Sequence, residues 1–203
     1  MKSLYLLILM LALPIAGWAQ DAEEPAEDTA APEIAAEVVY TRHTATGFGF
    51  SVELPPAEML LSPADEDWSE DANTAFIWKG MPGAPVRLVL ARVDEALGLN
   101  REPLDAVRFQ AFIDVMKSRW VESAGVYELL EEPEPIDNGR FVWHVFDVKQ
   151  KVTEADLERD VYYTVFSTFA GRKIYTITLY YLNPPSAGIQ EFGGPIVGSF
   201  ELL

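Results

Sequence analysis

The amino-acid pattern predicts an α+β domain built on an antiparallel β-sheet, and three observations carry that prediction. Residues 161–182, VYYTVFSTFAGRKIYTITLYYL, are almost all β-branched or aromatic outside a tight turn at Ala170-Gly171-Arg172-Lys173, so they read as a long β-hairpin. Residues 104–123 form the one long helical pattern, with Phe109, Phe112, Ile113, Met116 and Trp120 on a single stripe. The rest is short alternating runs cut by proline and glycine, the punctuation of strands and turns.

The hairpin organises the domain. Gly171 supplies the positive φ that tight turns favour. On the second strand Ile174, Thr176, Thr178 and Tyr180 alternate with Tyr175, Ile177, Leu179 and Tyr181, and no charge falls between Ile174 and Leu182. Both faces are therefore expected to be covered, which places the hairpin at the centre of its sheet.

Ahead of the domain, residues 1–19 have one positive charge at Lys2, an apolar run from Leu4 to Leu13, a breaker at Pro14 and small residues at Gly17 and Ala19. This is the pattern of a secretory signal peptide, with cleavage expected between Ala19 and Gln20. The run falls short of the roughly 20 apolar residues of a membrane span. Residues 20–37, QDAEEPAEDTAAPEIAAE, hold seven acids, no base and two prolines, and are expected to be a disordered acidic linker. Residues 38–203 remain as a single domain, long enough to bury a core without cross-links. The chain has no cysteine, so neither a disulfide framework nor a lipid-modified N-terminal cysteine is available.

The formal charge is −17; loss of Lys2 makes it −18, and removal of the seven linker acids leaves −11 for the domain. Such a body repels nucleic acid and anionic lipid surfaces.

Taken in order, Gly47–Leu54 alternates Phe48, Phe50, Val52 and Leu54 with small or polar residues and is a half-buried strand stopped by Pro55-Pro56. Its Gly-x-Gly lacks the third glycine and following helix of a phosphate loop. Met59–Ser62 is a short extended piece, and residues 63–73 are an acidic surface loop. Thr74–Lys79 and Val86–Val93 are strands around a Gly80–Pro85 turn. The helix at 104–123 has Pro103 suited to its first turn and Gly125 to close it. Tyr127–Leu130 and Arg140–Gln150 are strands, the second entered through Asn138-Gly139. In it Phe141, Trp143, Val145 and Asp147 alternate with Val142, His144, Phe146 and Val148. Thr153–Asp160 reads as a polar connection with room for one helical turn, and residues 196–203 as a short apolar end.

Chemistry is sparse in this pattern. The only histidines, His43 and His144, have no second His or Cys at ligand spacing, so His43 is expected at the surface and His144 within its strand. Ser199 lacks the second glycine of the hydrolase elbow. Asp65, Glu66, Asp67, Glu70 and Asp71 offer hard oxygen ligands, with Asp65, Asp67 and Asp71 as the candidate Ca²⁺ ligands, although the glycine and terminal glutamate of a calcium loop are missing. Trp68 and Trp78 are the candidate partner contacts, since exposed tryptophan anchors interfaces.

The entry motif GFGFSVELP, the hairpin FAGRKIYTITLYYL and the closing Ile196-Val197-Gly198-Ser199-Phe200 resemble those of PsbP-like domains, over residues 48–200. The resemblance implies an antiparallel β-sheet packed between helices and carries no catalytic motif. Residues 188–195 depart from it, being shorter and richer in glycine than a good terminal helix. The expected function is an exported, non-enzymatic accessory or protein-binding module of the cell envelope, in the periplasm or secreted, with another envelope protein as partner and no cofactor. The alternative is a periplasmic protein binding a small ligand or Ca²⁺.

Overall fold

The computed structural model describes residues 39–63, 72–95, 104–122, 127–130, 135–154, 157–182 and 187–203. All lie in the compact unit Val38–Leu203. Asp65, Asp67 and Asp71, with Glu66, Trp68 and Glu70, lie outside the described residues, as do residues 1–38.

A small sheet joins the two ends of this unit. Its central strand is β2, Phe50–Leu54, flanked by β1, Thr41–Ala45, and by the terminal β11, Glu201–Leu202. A large sheet takes β3 (Ala57–Leu61), β4 (Thr74–Gly80), β5 (Leu88–Glu95), β6 (Tyr127–Leu129), β7 (Ile136–Asp137), β8 (Val142–Glu154), β9 (Leu157–Ala170) and β10 (Lys173–Tyr181). The order along it is β3-β4-β5-β10-β9-β8-β6, with β7 paired to β8, and every pairing is antiparallel. The β9–β10 hairpin is central, as its uncharged faces predict. Lys173 pairs with Ala170 across the two-residue turn, where Gly171 has φ +60°.

The larger described apolar cluster lies on one face of the large sheet. There Phe76 and Trp78, Val89 and Ala91, Trp143, Phe166, and Tyr175, Ile177, Leu179 and Tyr181 meet Phe50, Val52 and Leu54 of the small sheet. Phe200, which follows the second helix, is the hub of this layer. Its ring stacks on Phe50 at 5.4 Å and meets Phe141, Trp143 and Tyr175 edge-on at 5.1, 5.1 and 5.2 Å. Such offset and edge contacts add about 0.5–1.5 kcal/mol each beyond the burial of area.

Among the described residues, two helices complete the structure. The first, α1 (Ala106–Glu122), begins two residues later than the apolar pattern suggests, because the Asp105 carboxylate accepts a hydrogen bond from the Arg108 amide at 2.8 Å and caps the first turn. Four residues of its predicted stripe pack on the second face of the sheet: Phe109 and Ile113 are buried, with Phe112 and Met116 beside them, against Ile174 and Phe169, while the Trp120 side chain lies outside the described ones. The second helix, α2, spans Ala187–Gly198. The expectation of a broken segment there is overturned, and the glycines have a packing reason. A Cβ on Gly193 would sit 2.6 Å from the Phe166 ring, so glycine lets this helix lie directly on the sheet.

The expected sheet packed between helices is likewise corrected. Among the described residues the protein is mostly antiparallel strand with two short helices. The face opposite α1 is covered chiefly by Phe50, Val52 and Leu54 of the small sheet, with α2 alongside through Ile196 and Val197. Strand-on-strand packing supplies the layer that the resemblance assigned to helix, because the chain returns a five-residue apolar strand, β2, to the place a helix would need.

Three local readings also change. Phe48 belongs to a 3-10 turn, Thr46–Phe48, ended by Gly49 at φ +81°, and β2 starts only at Phe50. Residues 153–154 and 157–160 are strand rather than connection: the β8–β9 ladder runs on through Lys151↔Asp160 to Glu154↔Leu157, with residues 155–156 outside the described ones. Residues 196–198 finish α2 rather than forming an extended end.

Candidate functional site

Trp78 is a core residue. It is 1% exposed, and its indole Nε1 donates to the Pro55 carbonyl at 3.0 Å, tying β4 to the chain just before β3. It therefore offers no contact surface. Among the described residues, no group of three His, Asp or Glu side chains is placed to hold a metal ion. No helix among them is long and apolar enough to cross a membrane.

The histidines lie on opposite sides of the large sheet. His43, expected at the surface, is half-buried with its ring edge-on to Phe76 at 5.0 Å, and its Nε2 is buried without a hydrogen-bond partner. Burial lowers its pKa, so the neutral ring is favoured. His144 sits under α1, edge-on to Phe109 at 5.2 Å. Ser199 is structural: its hydroxyl donates to the Ile196 carbonyl and accepts from the Glu53 amide, each at 2.8 Å, joining the end of α2 to β2.

Two further polar networks stand out among the described residues. One lies on the outer face of the small sheet, where the Arg42 guanidinium reaches Glu53 at 3.1 Å and Glu201 at 2.6 Å, and Arg140 reaches Glu201 at 2.8 Å. These groups are solvated; Arg140 and Arg42 hold the Glu201 carboxyl below its usual pKa. The network fastens β1, β2 and β11 to the turn before β8.

The other is buried and is the candidate site. Asp147 on β8, Thr164 on β9 and Tyr181 on β10 come from three adjacent strands and point to the core face. The Thr164 hydroxyl donates to Asp147 Oδ1 at 2.5 Å, and its oxygen lies 2.8 Å from the Tyr181 hydroxyl. Because Thr164 has a single hydroxyl hydrogen, Tyr181 is the donor to it, and the three groups form a directed chain ending on the carboxylate. Asp147 keeps only 9% of its surface exposed. Burial pushes its pKa up, and the Thr164 hydrogen bond offsets part of that shift. Tyr181 is pushed up as well, mainly by burial, and stays protonated.

This site was not singled out from sequence. The available signal was an acid sharing a strand face with Trp143 and Val145, the one charge at an inward position of β8 before its polar tip.

No family model matches the sequence, and no curated protein matches it. Solved structures do match its fold. Cyanobacterial PsbP from Synechocystis sp. PCC 6803 aligns with a TM-score of 0.53 at 14% identity, over 86% of this chain and 99% of that one. The Saccharomyces cerevisiae Ran-binding protein Mog1p aligns with a TM-score of 0.51 at 11% identity, over 81% of this chain and 96% of that one. At these identities the likeness is one of fold alone: the chain shares the fold of cyanobacterial PsbP and of Mog1p.

Proposed function

We propose that the chain is an exported, non-enzymatic accessory or protein-binding module of the cell envelope. The observation that carries this reading is the fold it shares with a protein named for binding another protein, Mog1p. The separation of His43 from His144, and the structural engagement of Ser199, fit the same reading. Export rests on the signal-peptide pattern of residues 1–19.

The test is saturable capture of an envelope protein by the purified chain. A partner that binds at a fixed ratio, and is competed by unlabelled chain, is the expected result; only non-saturating background would overturn it. N-terminal sequencing of the exported protein should begin at Gln20. The calcium reading, on Asp65, Asp67 and Asp71, is tested by a thermal melt in EDTA and then in millimolar Ca²⁺. Ca²⁺ at 100 times its dissociation constant would add about 2.7 kcal/mol, and a rise lost on changing the three residues to Asn would replace the module reading.

A further inference from the structure

We propose that His43 makes β1 an acid-sensitive clasp, in which protonation of the ring loosens the strand from β2 and opens the edge of the small sheet. β1 is an outer strand of that sheet, five residues long, and β2 is its sheet partner. Arg42 and Thr44 point outward and are exposed, whereas His43 and Ala45 face the core. The His43 ring lies edge-on to Phe76 of β4 at 5.0 Å, with Nε2 buried and unmatched by any hydrogen-bonding group. A neutral imidazole can carry its one proton on Nδ1 and leave only a lone pair at Nε2. In an imidazolium both nitrogens donate, so a buried N–H is left without an acceptor.

Among the described residues no charge offsets that loss. The His43 face of β1 and β2 holds Thr41, Ala45, Phe50, Val52 and Leu54, none of them ionisable. α2 adds Ile196 and Val197 to the same cluster. The titratable members of the cluster, Tyr40 and Tyr175, are kept neutral by burial, which raises both pKa values. Arg42, Glu53 and Glu201 join each other across the opposite face, and Lys173 Nζ donates to the Phe48 carbonyl at 3.3 Å. Burial lowers the His43 pKa, so the strand keeps its full hold above the ordinary value of 6.5 and loses it as pH falls below that. The ion pairs outside outlast this change, because Arg140 and Arg42 hold the Glu201 carboxyl below its ordinary value of 4.5. Between these two values His43 acts alone on β1.

Amide hydrogen exchange of the full chain at about pH 7.5 and about pH 5.5, corrected for the intrinsic pH dependence of exchange, tests the clasp. The opening equilibrium of Thr41–Ala45 should rise at least about twofold at the lower pH. It should rise by no more than about tenfold, the ceiling set by a released ring with the ordinary pKa of 6.5. Local release also requires Thr41–Ala45 to be less protected than the β9–β10 hairpin at both values. His43→Phe keeps an aromatic ring beside Phe76 and should abolish the rise. In the wild type the His43 ring, followed by NMR, should titrate below 6.5. A rise that persists in His43→Phe, a ring that titrates at or above 6.5, or β1 protection equal to that of the hairpin would overturn the proposal.

Discussion

On one face of the β9–β10 hairpin, Phe166, Tyr175, Ile177 and Leu179 meet a second sheet and a helix in an aromatic layer centred on Phe200. On the other face Ile174 and Phe169 join an apolar cluster with α1, and Val161, Tyr163 and Val165 are buried on that face together with Ser167, Thr176 and Thr178. Ser167 and Thr176 share a hydrogen bond at 3.3 Å across the strands. One hairpin thus carries two kinds of burial. The first face gathers residues from both ends of the domain and supplies most of its cohesion. The second combines α1 and the apolar positions Phe146, Val148, Tyr163 and Val165 with hydroxyls that satisfy each other among the buried residues.

The widest gap should appear when the centre of each face is truncated. Phe200→Ala is expected to cost toward the upper end of about 3–5 kcal/mol, because four aromatic rings lose a shared neighbour. Phe109→Ala should cost less, since the half-buried Phe112 and Met116 beside it can move into the space. Urea denaturation of both variants measures this; equal losses would remove the distinction between the faces. Next, Gly193→Ala should destabilise by about 1–3 kcal/mol, through the overpacking of Phe166 and a lift of α2 from the aromatic face. A neutral result would show that the close approach is not needed.

Smaller effects sharpen the contrast between dry and solvated polar groups. Ser199→Ala should cost about 1 kcal/mol, leaving the Glu53 amide without its acceptor. Asp147 gives a pH signature. Its native pKa is raised above the unfolded value, so its ionisation opposes folding at neutral pH, and that opposition fades as pH falls through the native pKa toward the ordinary value of 3.8. Asp147→Asn should therefore melt higher than wild type at pH 7 and lose that advantage near pH 4, read from paired thermal melts. Glu201→Gln should have the smallest effect. Its carboxyl is lowered by Arg140 and Arg42, so the stabilisation is present above the usual carboxylate pKa and lost as pH falls below it. A melting difference that persists in 1 M NaCl would contradict a screened surface network.

Much of this architecture was legible because periodicity reports burial. The two-sided apolar strand Ile174–Leu182 and the stripe Phe109, Phe112, Ile113 and Met116 each declared how many faces they bury. Other parts were hidden for physical reasons. The strand extension from Lys151 to Glu154, opposite Leu157 to Asp160, is a polar ladder in which the backbone pairs without an apolar pattern. β1 holds Thr41, Arg42 and Thr44, exposed residues whose strand state depends on a partner, β2, that only the fold supplies. α2 was disguised by Gly193, which lets the helix approach Phe166, and by Pro195, both poor helix formers. Asp147 was visible as a residue but not as a site, because its meaning comes from Thr164 and Tyr181 on two other strands.

The position of Phe200 in the chain has a consequence for how the molecule comes into being. The ring that joins Phe50, Phe141, Trp143 and Tyr175 is the last of the five in chain order. A chain growing from its N-terminus makes the four partner rings first, and cannot close its aromatic layer until Phe200 has been added. The keystone is laid after everything it holds.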